Sequence, residues 1–416
     1  MTGRPDKSRV KTETVFLNEA SEVARRTFRL DLLRGSMQGF VETSLLTFSL
    51  LVAIRVFQAP DMLKAILPGA YPAGLLISPL TIIIGSKLGW SAGRICSLFS
   101  FLAGLSMVGA ISVKALPAFV ICIFFVAVFL AQTIPLLTTI YASNYAENER
   151  GSRYATTMLF SALIAAGFSY GGGRLLDFDI EHYQVLFVVP ALALFVNVFA
   201  FKAMPDVAIR PEQSPSSVHD FKEAFRNRVF CLILTGWMFQ GFGQIMTVPI
   251  RIEYLANDRY GINATNEQIG LIVGAVPFLT YIGSTKIWGY CFDRWNFIVL
   301  RVATNVISMI SIFTIFFTSS LLVIAIGMGL FGVALSGGRL IWMLWVVQLA
   351  PLRNLSTYMS INTFTTGVRG AMAPFVAYWL VGKSDPMVVG WIAAAIIAIG
   401  ICVMLPFRGQ FQRPTG

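Results

Sequence analysis

Apolar runs of membrane-spanning length alternate with short polar stretches along most of this chain. A helix needs roughly 20 residues to cross the ~30 Å hydrocarbon core of a bilayer. The runs lack the two-residue alternation of transmembrane β-strands, so the pattern predicts helices. Twelve spans are predicted, at 30–57, 62–85, 92–113, 116–142, 153–175, 183–203, 229–254, 267–288, 297–318, 320–349, 357–381 and 386–406.

Composition and charge agree with a polytopic membrane protein. Hydrophobic residues make up 56% of the 416 residues and charged residues 13%, with a mean hydropathy of +0.70, whereas soluble proteins carry about 25% charged residues. The net charge of +11 would suggest nucleic acid as the partner of a soluble protein. Here the loops explain it, because the side with both termini holds 22 lysines and arginines and the other side holds 7. This bias predicts cytoplasmic termini and no nucleic-acid partner.

The chain contains a weak internal repeat. The segment GYCFDRWNFIVLR, which begins at Gly289, corresponds to GSKLGWSAGRICS, which begins 204 residues earlier at Gly85, and Tyr358 corresponds to Tyr154. Two six-span halves in the same orientation imply parallel repeats about an axis along the membrane normal, with the substrate site between them. The predicted divisions are a cytoplasmic segment (1–29), a first six-helix bundle (30–203), a linker with a short amphipathic helix (204–228), a second six-helix bundle (229–406) and a cytoplasmic tail (407–416).

Two loops carry a family resemblance. Gly289, Asp293 and Arg294 form a G-x-x-x-D-R loop between spans 8 and 9, and an Asn-Glu-Arg-Gly turn begins at Asn148 before span 5. In a duplicated chain of twelve spans, these motifs resemble those of the major facilitator superfamily of secondary transporters. The segment from Pro351 through span 11 is similar to that of poorly characterised bacterial members. The resemblance implies two pseudo-symmetric six-helix bundles in a bacterial cytoplasmic membrane, alternating access for a small solute, and no enzymatic activity.

The signature loop implies a conformational latch at the cytoplasmic side. A carboxylate at Asp293 can meet the positive N-terminal end of span 11 or a nearby arginine, and a pairing made in one state only would bias alternating access. A solvated loop without a switching role is the alternative. The first-half loop has Gly89 at the acidic position, which leaves its gating role open. The predicted latch residues are Gly289, Asp293, Arg294, Arg94, Glu149 and Arg150.

Ionisable residues inside spans mark candidate transport chemistry, because charge is costly in hydrocarbon. Glu42, near the middle of span 1, is predicted to be the proton-coupling carboxylate or, alternatively, a permanent partner of an arginine. Arg339 and Arg369 suit an anionic solute, although paired arginines also occur around neutral ones. Arg34 is expected to snorkel to the cytoplasmic interface. The predicted substrate-binding residues are Arg339, Arg369, Gln38, Gln240, Gln244 and Asn362.

The polar residues of spans 1 and 7 are spaced to share helix faces. Gln38 and Glu42 are four residues apart, as are Gln240 and Gln244. Spans 1 and 7 are equivalent in the two halves, so these faces are predicted to meet across a central cavity.

Other chemistry has little support in the sequence. There is no P-loop, so ATP is not the predicted energy source, and the five cysteines form no C-x-x-C pair. No cofactor or metal is expected, and the expected partners of a monomeric chain are a small solute, the lipid bilayer and co-transported protons. Two alternatives stay open: an uncoupled facilitator in which Glu42 is structural, and a transporter-like sensor or lipid-handling membrane protein.

Overall fold

The structure is a computed structural model that describes residues 7–209, 218–350 and 355–411. In the first half the helices are α1 (Lys7–Thr43), α2 (Ser49–Arg55), α3 (Asp61–Lys87), α4 (Ala92–Ser112), α5 (Leu116–Asn144), α6 (Glu147–Phe178) and α7 (Val185–Ala203). In the second half they are α8 (Val218–Arg226), α9 (Arg228–Ala256), α10 (Asn266–Ile269), α11 (Val276–Arg294), α12 (Phe297–Phe316), α13 (Leu321–Leu349), α14 (Leu355–Val381) and α15 (Pro386–Met404). π-helical segments join α1 to α2 (Ser44–Phe48) and α10 to α11 (Gly270–Ala275).

These helices account for the predicted spans. Within the described ranges, eleven helical segments are long and apolar enough to cross a membrane. The remaining predicted span, span 11, falls on α14, whose 27 residues extend about 40 Å at the ~1.5 Å rise of an α-helix. Span 1 comprises α1 and α2, and span 8 comprises α10 and α11. The prediction of an all-helical polytopic fold is confirmed.

The two ends of the first bundle differ in detail from the sequence pattern. α1 begins at Lys7 and continues without a break into span 1, so most of the predicted N-terminal segment is the start of that helix. α8 occupies the end of the linker, where the sequence predicts a short amphipathic helix. Linker residues 210–217 lie outside the described ranges.

Each half is a bundle whose helices pack mainly on one another. In the first half α1 packs on α6 and α7, and α5 packs on α3 and α4; in the second, α9 packs on α14 and α15, and α13 packs on α11 and α12. The halves meet along two seams, α3 against α14 and α6 against the segment α10–α11. These seams join span 2 to span 11 and span 5 to span 8. They are equivalent under the sequence repeat, because span 2 corresponds to span 8 and span 5 to span 11.

The buried apolar clusters show where the halves are joined. We call the face that carries the linker between α7 and α8 the linker face, and the opposite face the far face. A cluster toward the far face takes residues from both halves, among them Phe48 and Leu51 of span 1, Ile250 of span 7 and Tyr378 of span 11. Two further clusters in the described chain lie toward the linker face, and each contains residues of one half only. The halves therefore share a core at the far face and separate toward the linker face.

Candidate functional site: the central cavity

Span 1 presents a polar edge beside a glycine face. A Cβ atom on Gly39 would clash with the carbonyl oxygen of Ser161 in span 5, so the two helices approach closely there. Successive residues of an α-helix are rotated by about 100°. Gln38 precedes Gly39 by one residue and Glu42 follows it by three, so both lie to the side of this packed face. Both side chains are half-buried, and Gln38 lies within hydrogen-bonding reach of the Glu42 carboxylate. Span 1 therefore holds an acid and an amide together at the edge of the space between the halves.

Span 10 presents an arginine to the same space. Gly337 packs directly against the ring of Trp288 in span 8, which turns this face of the helix into its own bundle. Arg339 follows two residues later, about 200° further around the helix, so it leaves on the opposite side. The Arg339 side chain is exposed, although the residue belongs to a membrane-spanning helix. The small residues before it thus fix the direction in which the guanidinium points.

The surroundings of Arg339 show that its exposed side chain faces an internal cavity and not lipid. The charged and phenolic groups nearest to it are Tyr154 of span 5, Tyr281 of span 8, Glu42 of span 1 and Tyr71 of span 2. These residues come from both halves, and all four are half-buried. Glu42 and Arg339 interact through their charges. They are not one of the direct ion pairs that the described side chains form. The cavity therefore carries an acid on one half and an arginine on the other.

Arg369 and Gln240 lie elsewhere, inside the second half. Arg369 is 7% exposed and donates from Nη1 to the backbone oxygen of Trp237. Gln240 is fully buried, accepts from Arg301 Nε at 2.8 Å and donates to Met404 Sδ at 3.2 Å. The structure therefore brings Gln38, Glu42 and Arg339 together but places these two predicted site residues behind the cavity wall.

Gln244 and Asn362 also point into the second half. Gln244 is half-buried and donates to Asn305 Oδ1 of span 9 at 3.1 Å. Asn362 is 1% exposed, and its Nδ2 has no acceptor among the described residues. The sequence predicts that the Gln240–Gln244 face meets the Gln38–Glu42 face across the cavity. In the structure, Gln240 and Gln244 instead contact residues of their own half.

The predicted latch residues of the first half make contacts within that half. Glu149 pairs with Arg153 at 2.7 Å, one helical turn away. Arg150 donates to the backbone oxygen of Ala142 at 3.0 Å. Arg94 is exposed, and its guanidinium lies over the ring of its neighbour Trp90. Each of these side chains therefore serves its own half in this conformation.

The second-half signature residues, predicted to form a loop, lie in the last two turns of α11. Arg294 is exposed and lies over the ring of Tyr290, with 3.6 Å between the guanidinium carbon and the ring centroid. Gly289 has open space where a Cβ would be. The side chain of Asp293 lies outside the described part of the structure. A latch between the halves remains a prediction for the state in which the linker face closes.

The expectation that Arg34 snorkels to the interface is wrong. Arg34 is 5% exposed and donates from Nε to Asp31 Oδ1 at 2.8 Å. Asp31 also accepts hydrogen bonds from Tyr141 and Thr157, at 2.8 and 2.9 Å. A fully buried carboxylate with these three donors holds the arginine inside the bundle, because a buried charge is stable only when it is paired. Span 1 therefore contains a fully buried carboxylate, Asp31, in addition to the half-buried Glu42.

Ion pairs and caps close the far face between the halves. Lys64 of span 2 lies 2.7 Å from Glu253 of span 7, and both side chains are buried. Arg55 of span 1 donates to the backbone oxygen of Ala264 and to Asn266 Oδ1 of the second half. Asp177 of span 5 accepts from the first backbone N–H groups of α10, at 2.7 and 2.8 Å. Every one of these contacts crosses from one half to the other.

The sequence analysis missed a polar stripe in span 9. Arg301, Thr304, Asn305, Ser308 and Ser311 recur at intervals of three or four residues and are all buried. Arg301 was counted among the basic residues of the loops because it lies only four residues after the predicted start of span 9. The helical spacing was the available signal, since it places these side chains on one face.

Comparison with known proteins agrees with this architecture. A family model described as Major Facilitator Superfamily matches residues 40–374, so the chain belongs to that superfamily and is a membrane transporter of small solutes. No curated protein matches the chain. Within the described residues no cluster of histidine, cysteine and carboxylate side chains could hold a metal ion.

Solved structures share the fold at low sequence identity. The nucleoside transporter NupG is 11% identical with a TM-score of 0.71, over 94% of this chain and 99% of that chain. A D-xylose–proton symporter is 16% identical with a TM-score of 0.67, over 93% of this chain and 98% of that chain. An inward-facing, unoccupied bacterial homologue of the human lysosomal transporter Spinster is 13% identical with a TM-score of 0.63, over 94% and 96% of the two chains.

Proposed function

We propose that this protein is a proton-coupled secondary transporter that moves a small solute with an anionic group by alternating access. Arg339 binds the anionic group, and Glu42, held beside Gln38, carries the coupled proton. The observation that carries the proposal is that Glu42 and Arg339, from opposite halves, lie near enough to interact through their charges, while neither side chain is fully buried.

The position of these two groups suits coupling. A proton on Glu42 would remove the negative charge that competes with the solute for Arg339, so protonation and solute binding favour one another. Tyr71, Tyr154 and Tyr281 supply hydroxyl groups and rings around the same space, which suits a compact solute with polar and apolar parts. The D-xylose–proton symporter, which shares this fold, moves its solute with protons, and this supports proton coupling here.

The conformation supports an alternating-access cycle. The far face is closed by contacts between the halves, whereas the linker face has a separate core in each half. With the linker face in the cytoplasm, as the loop charges predict, this conformation is inward-open. The opposite state requires the far-face contacts to break and the linker-face loops to approach, which would bring the Asp293 loop into its latch role.

A ligand screen tests the solute-binding part of the proposal. Purified protein is heated in the presence of small metabolites, and a substrate is expected to raise the melting temperature saturably, because it binds the folded state only. Arg339→Gln is expected to abolish the shift for the solute found with the native chain. Arg259→Gln is the matched control, because Arg259 is exposed over the ring of Tyr260 and has no role in the proposed site.

The same screen separates the alternatives. If lipids alone stabilise the protein, a lipid-handling or sensing function replaces solute transport. If a solute stabilises the native chain and Arg339→Gln equally, the cavity site is wrong even if transport is right. An uncoupled facilitator would bind the solute with no dependence on Glu42.

A further inference from the structure

Two arginines meet on one turn of span 7, inside the second half. Arg301 of span 9 lies over the ring of Trp237 at 3.8 Å and donates to Gln240. Arg369 of span 11 donates to the backbone oxygen of the same Trp237, and its guanidinium fills the space beside Gly241. The two positive charges are near enough to act on one another. Three helices thus converge to hold a pair of like charges.

The charge of this pair is not balanced by the protein groups around it. Arg301 and Arg369 are 3% and 7% exposed, and no described carboxylate forms an ion pair with either. Arg369 Nε is buried without an acceptor among the described residues. In contrast, the buried cations Arg34 and Lys64 each have an acid within 2.8 Å. Arg251, which is 1% exposed, also lacks an acid among the described residues, but it stands alone over the ring of Phe331 and has no second cation beside it. Buried charges are stable only when they are paired, so two adjacent cations without an acid call for an anion.

We propose that Arg301 and Arg369 form a binding site for an oxyanion, a carboxylate or phosphate group, in the wall of the second half. Guanidinium groups bind such oxyanions through paired N–H donors, and the free donors of both side chains are available for this. The site is separate from the Glu42–Arg339 pair and does not depend on the proposed transport function. The anion is either a free inorganic ion or an acidic group of a larger solute.

A glycine of span 10 separates the Arg301 guanidinium from the side of that helix on which Arg339 lies. A Cβ on Gly338 would lie 3.3 Å from Arg301 Nη1, so the backbone of span 10 covers this guanidinium directly. Gly338 is half-buried and precedes Arg339, whose side chain faces the cavity. The Arg301 guanidinium therefore lies directly behind the helix that carries Arg339, and an anion has to pass this part of span 10 to reach it from the cavity.

Titration of the purified full-length protein with inorganic phosphate tests the site. Sodium chloride keeps the ionic strength constant, and acetate is titrated in parallel. Phosphate is expected to raise the melting temperature saturably and to change the fluorescence of Trp237, because its ring stacks on Arg301. The spectrum of Trp237→Phe, subtracted from that of the native chain, isolates this signal from the other seven tryptophans.

Substitutions assign the response to the pair. Arg301→Gln and Arg369→Gln are each expected to weaken the apparent affinity by about tenfold or more, since each removes a charged donor. Arg301→Lys keeps the charge and is expected to retain part of the response, which covers the case in which the glutamine variants do not fold. Arg259→Gln, at an exposed arginine over the ring of Tyr260, is expected to titrate like the native chain.

Each outcome decides the proposal or its source of anion. A response in Arg301→Gln equal to that of the native chain, or a shift that grows linearly without saturation, overturns the site. Retention of the phosphate response in Arg339→Gln separates this site from the transport site, whichever way the solute screen turns out. Competition between phosphate and the solute found in that screen assigns the anion to the solute, and additive binding assigns it to a free ion.

Discussion

Lys64 Nζ lies 2.7 Å from Glu253 Oε1, and these two residues come from different halves of the molecule. Glu253 also accepts from Asn257 at 2.7 Å, and Lys64 also pairs with Asp61 at 2.8 Å. The contact sits at the far face, above the common apolar core. The halves cannot separate there unless this pair breaks, so its strength enters the equilibrium between the two access states.

Lys64→Met is therefore expected to shift the protein toward the far-open state. It leaves the buried Glu253 carboxylate without a cation, and losing one partner of a buried pair costs about 3–5 kcal/mol. A bias of that size changes a population ratio by about a hundredfold or more. A surface cleft at the far face is lined by residues of both halves, and we call it the far-face cleft. Spin labels at Ile180 and Asp258, which line it from different halves, are expected to move apart, and labels at Leu88 and Trp295 to approach.

The order of the variants at this contact is specific. Glu253→Gln is expected to act more weakly than Lys64→Met, because Lys64 keeps its pair with Asp61. Asp61→Asn is the control, since the Asp61 side chain is 39% exposed and makes a weak surface contribution. Unchanged label distances in Lys64→Met would remove this pair from the access equilibrium.

Gly173→Ala is expected to open the far face by sterics alone. Gly173 of span 5 lies against the backbone of Asn266 in span 8, where a Cβ would clash with the carbonyl oxygen. A cysteine at Ile54, which is 7% exposed beside the far-face cleft, reports the opening in a chain whose five native cysteines are replaced. Labelling by a membrane-impermeant maleimide from the far face is expected to accelerate.

Gly167→Ala provides the matched control on the same helix. A Cβ on Gly167 would meet no neighbouring atom within 4 Å. In the Gly167→Ala variant, the cysteine placed at Ile54 is therefore expected to be labelled at the same rate as in the background without a glycine substitution. Equal rates in Gly173→Ala and Gly167→Ala would mean that this seam does not limit opening.

Asp31→Asn is expected to destabilise the first half without touching the cavity. It removes the ion partner of Arg34 and weakens the hydrogen bonds from Tyr141 and Thr157. The cost of breaking a buried pair is about 3–5 kcal/mol, which lowers the melting temperature of the purified protein by several degrees. Glu149→Gln, which removes an exposed pair, is expected to change it little. Equal melting temperatures for the two variants would contradict a structural role for Asp31.

Arg339→Lys separates the charge of the cavity arginine from its shape. Lysine keeps the positive charge but lacks the planar pair of donors that an oxyanion accepts. The variant is expected to bind the solute found by the thermal-shift screen about tenfold more weakly than the native chain, whereas Arg339→Gln loses binding altogether. Isothermal titration measures both. Native affinity in Arg339→Gln would exclude direct contact with the solute.

The fold was predictable because it depends on the apolar pattern. Runs of helical length mark the spans directly, and the repeat around Gly89 and Asp293 indicates the duplication. The direction of Arg339 was also within reach, because Gly337 and Gly338 indicate a packed face. Glu42 followed from the cost of a carboxylate in hydrocarbon.

The partners of the charged residues were beyond the sequence. Lys64 and Glu253 are 189 residues apart, and nothing local links them. Arg34 looked like a snorkelling residue because the partner, Asp31, stands near the predicted edge of span 1. Arg369 was assigned to the cavity only because it lies near the middle of span 11. Its side chain instead points toward span 7, where Gly241 leaves room for the guanidinium. The sequence indicates how far along a span a charged residue lies, whereas the direction of its side chain depends on tertiary packing.

Uptake of the identified solute into proteoliposomes tests the central claim most directly. The native chain is expected to accumulate the solute above its external concentration when a proton gradient is imposed. Glu42→Gln is expected to lose this accumulation while still exchanging labelled for unlabelled solute at equal concentrations, because it keeps Arg339 but cannot release a proton. Undiminished uphill accumulation by Glu42→Gln would contradict the assignment of Glu42 as the coupling carboxylate.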